Sequence, residues 1–192
     1  MLINPSSSII VIGNGPSVLQ RDNGRIIDCF QEVIRFNECR TSGVEAFTGT
    51  KTTIWCTFGR GMLPGDDHIR PDKVVMVHEK GKPAYQPKQL HRIPHSFYQA
   101  IAGEIKTASK LPKVDKLIPS SGYLILRWLF DEHLVKVIHI IGFDHFKKEK
   151  DQKHHYWNAK KFGRPVEHDG DTEALLLAPY VKAKRLFYLN HS

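Results

Sequence analysis

Cysteine is scarce in this chain: Cys29, Cys39 and Cys56 are the only three in 192 residues. Their number is odd and they lack metal-ligand spacing, so neither a disulfide framework nor a cysteine metal site organises the fold, and a reducing compartment is expected. Long apolar runs are missing too. No stretch approaches the ~20 residues of a membrane-spanning helix, and Met1-Leu2-Ile3-Asn4-Pro5 lacks the charged and apolar regions of a signal peptide. No internal repeat or low-complexity tract is visible. An acidic excess is absent: 28 Lys and Arg stand against 20 Asp and Glu, a formal +8. The lysines are spread through loops such as Lys147-Lys148-Glu149-Lys150, with acids interleaved and no aromatic stacking pattern between them, which argues against nucleic-acid binding. What remains is a solvated basic face, attraction of an anionic substrate, or peripheral contact with an anionic membrane or glycolipid. The length fits one domain, 1–192, large enough to bury a core.

What is present begins at Ile9-Ile10-Val11-Ile12-Gly13-Asn14-Gly15-Pro16-Ser17. Four apolar residues, three of them β-branched, predict a strand buried on both faces at the centre of a parallel sheet. Gly13 and Gly15 permit a tight turn and close approach to the backbone, and Pro16 suits a first helical position. Such a turn aims N–H groups at one spot with a helix dipole behind them, which makes a phosphate site. A dinucleotide fingerprint would need a glycine where Val18 stands, although Glu38 lies at a suitable distance for a ribose-binding acid.

Further strands are predicted at 32–37, 52–58, 74–77, 137–141 and 185–189, with a weak helix over 17–30 broken at Asn23-Gly24. Ser96 caps a helix carrying Phe97, Ala100, Ile101 and Ile105. Ser120 and Ser121 cap a helix too apolar all round to lie on the surface, and a last helix runs from Ala174. Pro83, Pro87, Pro94 and much charge predict a surface loop over 79–95, near the site. The expected class is α/β: a single Rossmann-like domain with a mostly parallel central sheet flanked by helices. Gly13, Gly142 and Ser120-Ser121-Gly122 should converge on one crevice at its carboxyl edge.

In this order the pieces resemble the sialyltransferases of glycosyltransferase family 29. Residues 9–56, with Gly13-Asn14-Gly15, Val33-Ile34-Arg35-Phe36-Asn37 and Thr48-Gly49-Thr50-Lys51-Thr52-Thr53, resemble the family's long sialylmotif. Pro119-Ser120-Ser121-Gly122 through Val137 to Gly142-Phe143 resembles the short one, His155-Tyr156-Trp157 the third, and His168 with Glu173 the very short one. The resemblance implies a variant GT-A-like glycosyltransferase fold. It also implies a donor in which cytidine monophosphate (CMP) carries sialic acid, and an acceptor glycan or glycolipid, in the nearest members the 3-hydroxyl of galactose. The family's animal members join the long and short motifs by a disulfide and carry an anchor and stem. The short-motif segment here has no cysteine, which favours a reduced, cytoplasmic, microbial or viral version, with the Golgi lumen expected only for a fragment of a longer anchored chain.

By that resemblance His168 is the catalytic base and His155 faces the departing phosphate. Asn14, Gly15 and Asn37 bind the nucleotide with Ser120, Ser121, Gly122 and Gly142, and Tyr156 and Trp157 shape the donor or acceptor pocket. A histidine is a natural base for a sugar hydroxyl near neutral pH. His139, His145 and His154 are expected to be structural or peripheral. No cofactor or metal is expected, since a single phosphate ester leaves on hydrogen bonds and an imidazolium. Asp66-Asp67 follows no apolar strand directly, and Asp169, Asp171 and Glu173 lack a full calcium-loop pattern and fit helix capping better. The alternatives are a transferase using CMP-activated 3-deoxy-manno-octulosonic acid (Kdo) on a bacterial-type glycan, and a nucleotide- or glycan-binding protein without turnover.

Overall fold

The computed structural model describes residues 2–59, 62–144, 155–157 and 167–189. Among the described residues seven strands form one sheet: β1 Ile9–Ile12, β2 Glu32–Phe36, β3 Ile54–Thr57, β4 Lys73–Met76, β5 Gln89–Arg92, β6 Ile138–Ile141 and β7 Leu186–Tyr188. Their order is β5-β4-β3-β2-β1-β6-β7, and every pairing is parallel. The helices are α1 Gly24–Cys29, α2 Glu45–Thr48, α3 His95–Ala108, α4 Ser121–Asp131 and α5 Gly170–Lys182.

The continuous apolar runs are explained by burial on both faces. Ile9, Val11, Ile34, Phe36, Ile54, Cys56, Val75, Ile138 and Ile140 point to one side, where Ile101 and Ile105 of α3, most of α4 and Leu177 of α5 complete the main core. Ile10, Ile12, Val33 and Ile141 point to the other, against Val18, Ile27 and Tyr156. Each fully buried aliphatic side chain contributes about 1.5–3 kcal/mol. α4 is buried nearly all round, in agreement with its sequence.

Three local expectations change. Within 79–95, Gln89–Arg92 is an edge strand and His95 opens α3, so the surface loop stops at residue 88. Gln89-Leu90-His91-Arg92 carries no apolar pattern because an edge strand needs only one neighbour's backbone, here β4, and most of its side chains lie in water. The stretch 17–30 is a 3-10 turn over Pro16–Gln20, with Pro16 at its start, and then the separate short α1. Helix α3 takes Pro94 as its N-cap in place of Ser96, and α5 begins at Gly170, four residues before Ala174.

Candidate active site at the carboxyl edge of the sheet

Connections leave β1 towards β2 on one side, while β6 lies on the other, so the strand order reverses between β1 and β6. Open α/β sheets bind ligands outside the carboxyl ends of the strands at that reversal. Gly13-Asn14-Gly15 follows β1 and Gly142-Phe143-Asp144 follows β6, side by side. Gly13 N donates to Ile141 O at 2.8 Å and Gly15 N to Gly142 O at 3.0 Å. A Cβ on Gly13 would stand 2.2 Å from the Gly142 carbonyl oxygen, and one on Gly142, whose φ is +72°, 2.5 Å from the Gly13 oxygen. These glycines are therefore bare for each other.

That arrangement revises the phosphate loop. The amides of Gly13 and Gly15 are consumed by β6, and the Ser17 amide donates to Asp144 Oδ2 at 3.1 Å. A carboxylate already occupies the start of the 3-10 turn, which at five residues is too short to supply much dipole. Among the described residues, Asn14 alone of 13–18 keeps an unpartnered backbone N–H. The Gly142 Cα faces Gly13 rather than a base or ribose, and the Gly122 Cα lies against the Phe143 ring, whose nearest carbon would be 2.7 Å from a Cβ.

Among the described residues, unpartnered amides stand instead at the start of α4. Ser120 is its N-cap, its Oγ accepting from Tyr123 N at 3.2 Å. The Ser120 amide and hydroxyl both donate to the buried Glu173 carboxylate, each at 2.7 Å, so Ser120 is engaged in scaffolding. The Ser121 and Gly122 amides in the first turn have no partner among the described residues and stand at the positive end of an eleven-residue helix. Capping, expected for the acids of 169–173, holds for Asp169, whose carboxylate accepts from Thr172 and from the Ser109 hydroxyl. Glu173 acts across space on the neighbouring helix.

The two asparagines are brought together at the end of β2. Asn14 Nδ2 donates to Phe36 O at 3.2 Å, and Asn37, with φ 48°, follows immediately. Asn37 Oδ1 accepts from Phe58 N at 3.2 Å and its carbonyl from Trp55 Nε1 at 2.8 Å. Asn14 Oδ1 and Asn37 Nδ2 have no partner among the described residues, which leaves one acceptor and one donor for a ligand.

Both histidines of interest reach this edge, from opposite faces of the sheet. Glu167 O accepts from Ile118 N at 2.9 Å and His168 Nδ1 lies 3.0 Å from Ile118 O, so His168 is pinned beside the entry to α4. A carbonyl only accepts; the neutral imidazole therefore carries its proton on Nδ1 and its lone pair on Nε2, the form a base requires. On the other face, Tyr156 N donates to Asn14 O at 3.1 Å, placing His155 beside the β1 loop, and the His155 ring stacks on Trp157 at 4.9 Å. Tyr156 itself is a core residue: its ring joins the second core and its hydroxyl hydrogen-bonds Arg40 O. Burial pushes the Tyr156 phenol up to about 12. Trp157 packs at the margin of that core. His139 stands in β6 between the Phe30 and Phe187 rings, as a structural histidine would; His145 and His154 lie outside the described residues.

The acids considered for a metal have other work. Asp66 accepts from the Thr41 and Ser42 amides, which hold its carboxyl below the ordinary range against the opposing effect of burial, and Asp67 pairs with Arg70. Sequence reading missed the Glu173–Ser120 pair, the Asp144 contact and the carbonyl cage of Arg35. Their one signal was that each lies in a stretch already singled out.

Residues 5–82 match the sequence model of glycosyltransferase family 29 (sialyltransferase). The chain is 22% identical to a type 2 lactosamine alpha-2,3-sialyltransferase of Mus musculus, over 96% of this chain and 65% of the mouse protein. It thus spans a little under two thirds of that relative's length. In fold it is similar to a mammalian sialyltransferase crystallised with Gal-beta-1-3GalNAc-ortho-nitrophenol, with a TM-score of 0.68 at 19% identity, covering 97% of this chain and 70% of the other. A second crystal structure of a mammalian sialyltransferase matches with the same score and coverage at 20% identity.

Proposed function

We propose that the chain, whose residues 5–82 match the model of glycosyltransferase family 29, is a member of that family and transfers sialic acid from CMP-sialic acid to the hydroxyl of a terminal galactose. The observation that carries this reading is the position of His168 beside α4, whose Ser121 and Gly122 amides are open to a phosphate. The mouse relative is named for lactosamine and a crystallised one for a galactose-terminated disaccharide, which supports the choice of galactose.

In the proposed reaction the acceptor O–H gives its proton to Nε2 of His168 while its oxygen bonds to the anomeric carbon. The carbon–oxygen bond to the phosphate breaks on the opposite side, and CMP leaves with the bonding pair. Configuration inverts in this single displacement and no covalent enzyme intermediate forms. The Ser121 and Gly122 amides would stabilise the phosphate and His155 would donate to it from the other face. Asn14 and Asn37 would hold the ribose and phosphate. We propose that no metal takes part: Asp66, Asp67, Asp169 and Glu173 are each engaged in scaffolding contacts. The three thiols are free, with Cys39 and Cys56 buried, which supports a reducing compartment; among the described residues no helix is long and apolar enough to cross a membrane.

The test is incubation with CMP-sialic acid or CMP-Kdo and N-acetyllactosamine, read by mass spectrometry with and without chelator. The expected product is sialylated lactosamine at an unchanged rate in chelator. Transfer of Kdo alone would move the donor to the alternative sugar. Binding of CMP without transfer of either sugar would make the protein a nucleotide-binding module.

A further inference from the structure

Three aromatic side chains line the carboxyl edge beyond Asn37, none of them used above. Phe58 follows β3, and its amide is the one bonded to Asn37 Oδ1. His78 stands two residues past β4, and Tyr98 lies in the first turn of α3. Their rings run in a row: Phe58 to His78 at 5.4 Å, tilted 46°, and His78 to Tyr98 at 6.4 Å, tilted 66°. His95 extends the row by stacking on Tyr98 at 6.4 Å with 7° between planes.

These rings differ from core aromatics such as Tyr123, which is 1% exposed and hydrogen-bonded to Arg127. Phe58 and Tyr98 rest partly against the main core, and all three rings belong to half-buried residues, His78 packing on Phe58. Neither ring nitrogen of His78 has a hydrogen-bond partner among the described residues. Half-exposed aromatic faces with unused polar tips suit a ligand that is apolar on one face and hydroxylated at its rim. A β-galactoside is such a ligand, since the hydrogens on C3, C4 and C5 lie on one face of the ring.

Resting on the transferase reading above, we propose that Phe58, His78 and Tyr98 form the stacking platform that seats the acceptor's galactose ring at the carboxyl edge beyond Asn37, with His95 continuing it towards the next sugar. Cytosine is the competing occupant of an aromatic row, and the test separates the two.

The full chain, His78→Ala, Tyr98→Ala and Tyr98→Phe are titrated with N-acetyllactosamine in the presence of CMP, by saturation-transfer NMR, and separately with CMP by calorimetry. Both alanine variants should raise the lactosamine Kd about tenfold or more, Tyr98→Phe should stay within about threefold, and the CMP Kd should hold in all of them. Unchanged lactosamine affinity in both alanine variants overturns the platform, as does absence of lactosamine binding in the parent chain. A selective loss of CMP affinity in His78→Ala assigns the row to cytosine and also overturns it. Should Tyr98→Ala lose both ligands through misfolding, His78→Ala decides, since His78 is half-buried just past the end of β4 and makes no side-chain hydrogen bond among the described residues. Ring-dependent lactosamine binding without sugar transfer would refute the transferase and leave the platform standing.

Discussion

Arg35 carries its charge where water does not reach, at 0% exposure in the middle of β2. Its guanidinium donates to Thr48 O at 2.5 Å, Lys51 O at 3.2 Å and Thr52 Oγ1 at 3.1 Å, and burial lowers its pKa from the ordinary value. A carbonyl cage of this kind welds the 48–52 turn to β2, directly beneath Asn37. Arg35→Met should therefore cost about 3 kcal/mol in urea unfolding, because several buried carbonyls lose their donors at once; a loss under about 1 kcal/mol would show that the cage is dispensable. His168 is the other residue whose role is separable. His168→Ala should lower turnover by about 100-fold or more with CMP affinity little changed, measured by single-turnover assay and calorimetry. Turnover near that of the parent would remove it as the base. Motif spacing nominated the candidate histidines and asparagines, which the structure places at the carboxyl edge, whereas the Arg35 cage left no such trace. Its acceptors are backbone atoms, which leave no signature in side-chain identity.

At the scale of elements, the active edge depends on two loops lying in direct backbone contact. Gly13 and Gly142 let the ends of β1 and β6 close on each other, with the Gly13 Cα only a missing Cβ away from the facing carbonyl. A Cβ there meets main chain that cannot rotate aside, so Gly13→Ala should destabilise the fold by about 2–3 kcal/mol. It should also displace Asn14, weakening CMP binding more than an alanine at exposed Gly103, where a Cβ meets nothing within 4 Å. Equal CMP affinity in the two variants would break the link between loop closure and the nucleotide. The glycine pattern announced close approach in this stretch, yet its partner proved to be the β6 loop and not a phosphate. Strand β5 escaped notice for a related reason, since its residues follow the edge environment rather than a core period.

Over the whole molecule, three histidines report on stability through one mechanism. Burial lowers the pKa of His91, His133 and His139 below the ordinary 6.5. Above that value each is neutral whether folded or not. As pH falls through it the unfolded chain takes up protons that the folded chain resists, so stability declines until the folded groups titrate too. The urea midpoint should fall between pH 7 and about pH 5.5, and His139→Phe, which keeps the stack with Phe30 and Phe187, should flatten the decline; an unaltered slope would exclude His139 as a contributor. Sequence by itself determined the class of fold, six of the seven described strands and the central place of Ile9–Ile12, because apolar runs and glycine turns act locally and write their period into the chain. Tertiary structure alone decided which glycines face each other, that unpartnered amides stand at the start of α4 while those of Gly13 and Gly15 are spent on β6, that Glu173 clamps Ser120, and that Phe58, His78 and Tyr98 share an edge. These depend on contacts between segments up to 129 residues apart, as for Gly13 and Gly142, and no local pattern encodes a distance of that kind.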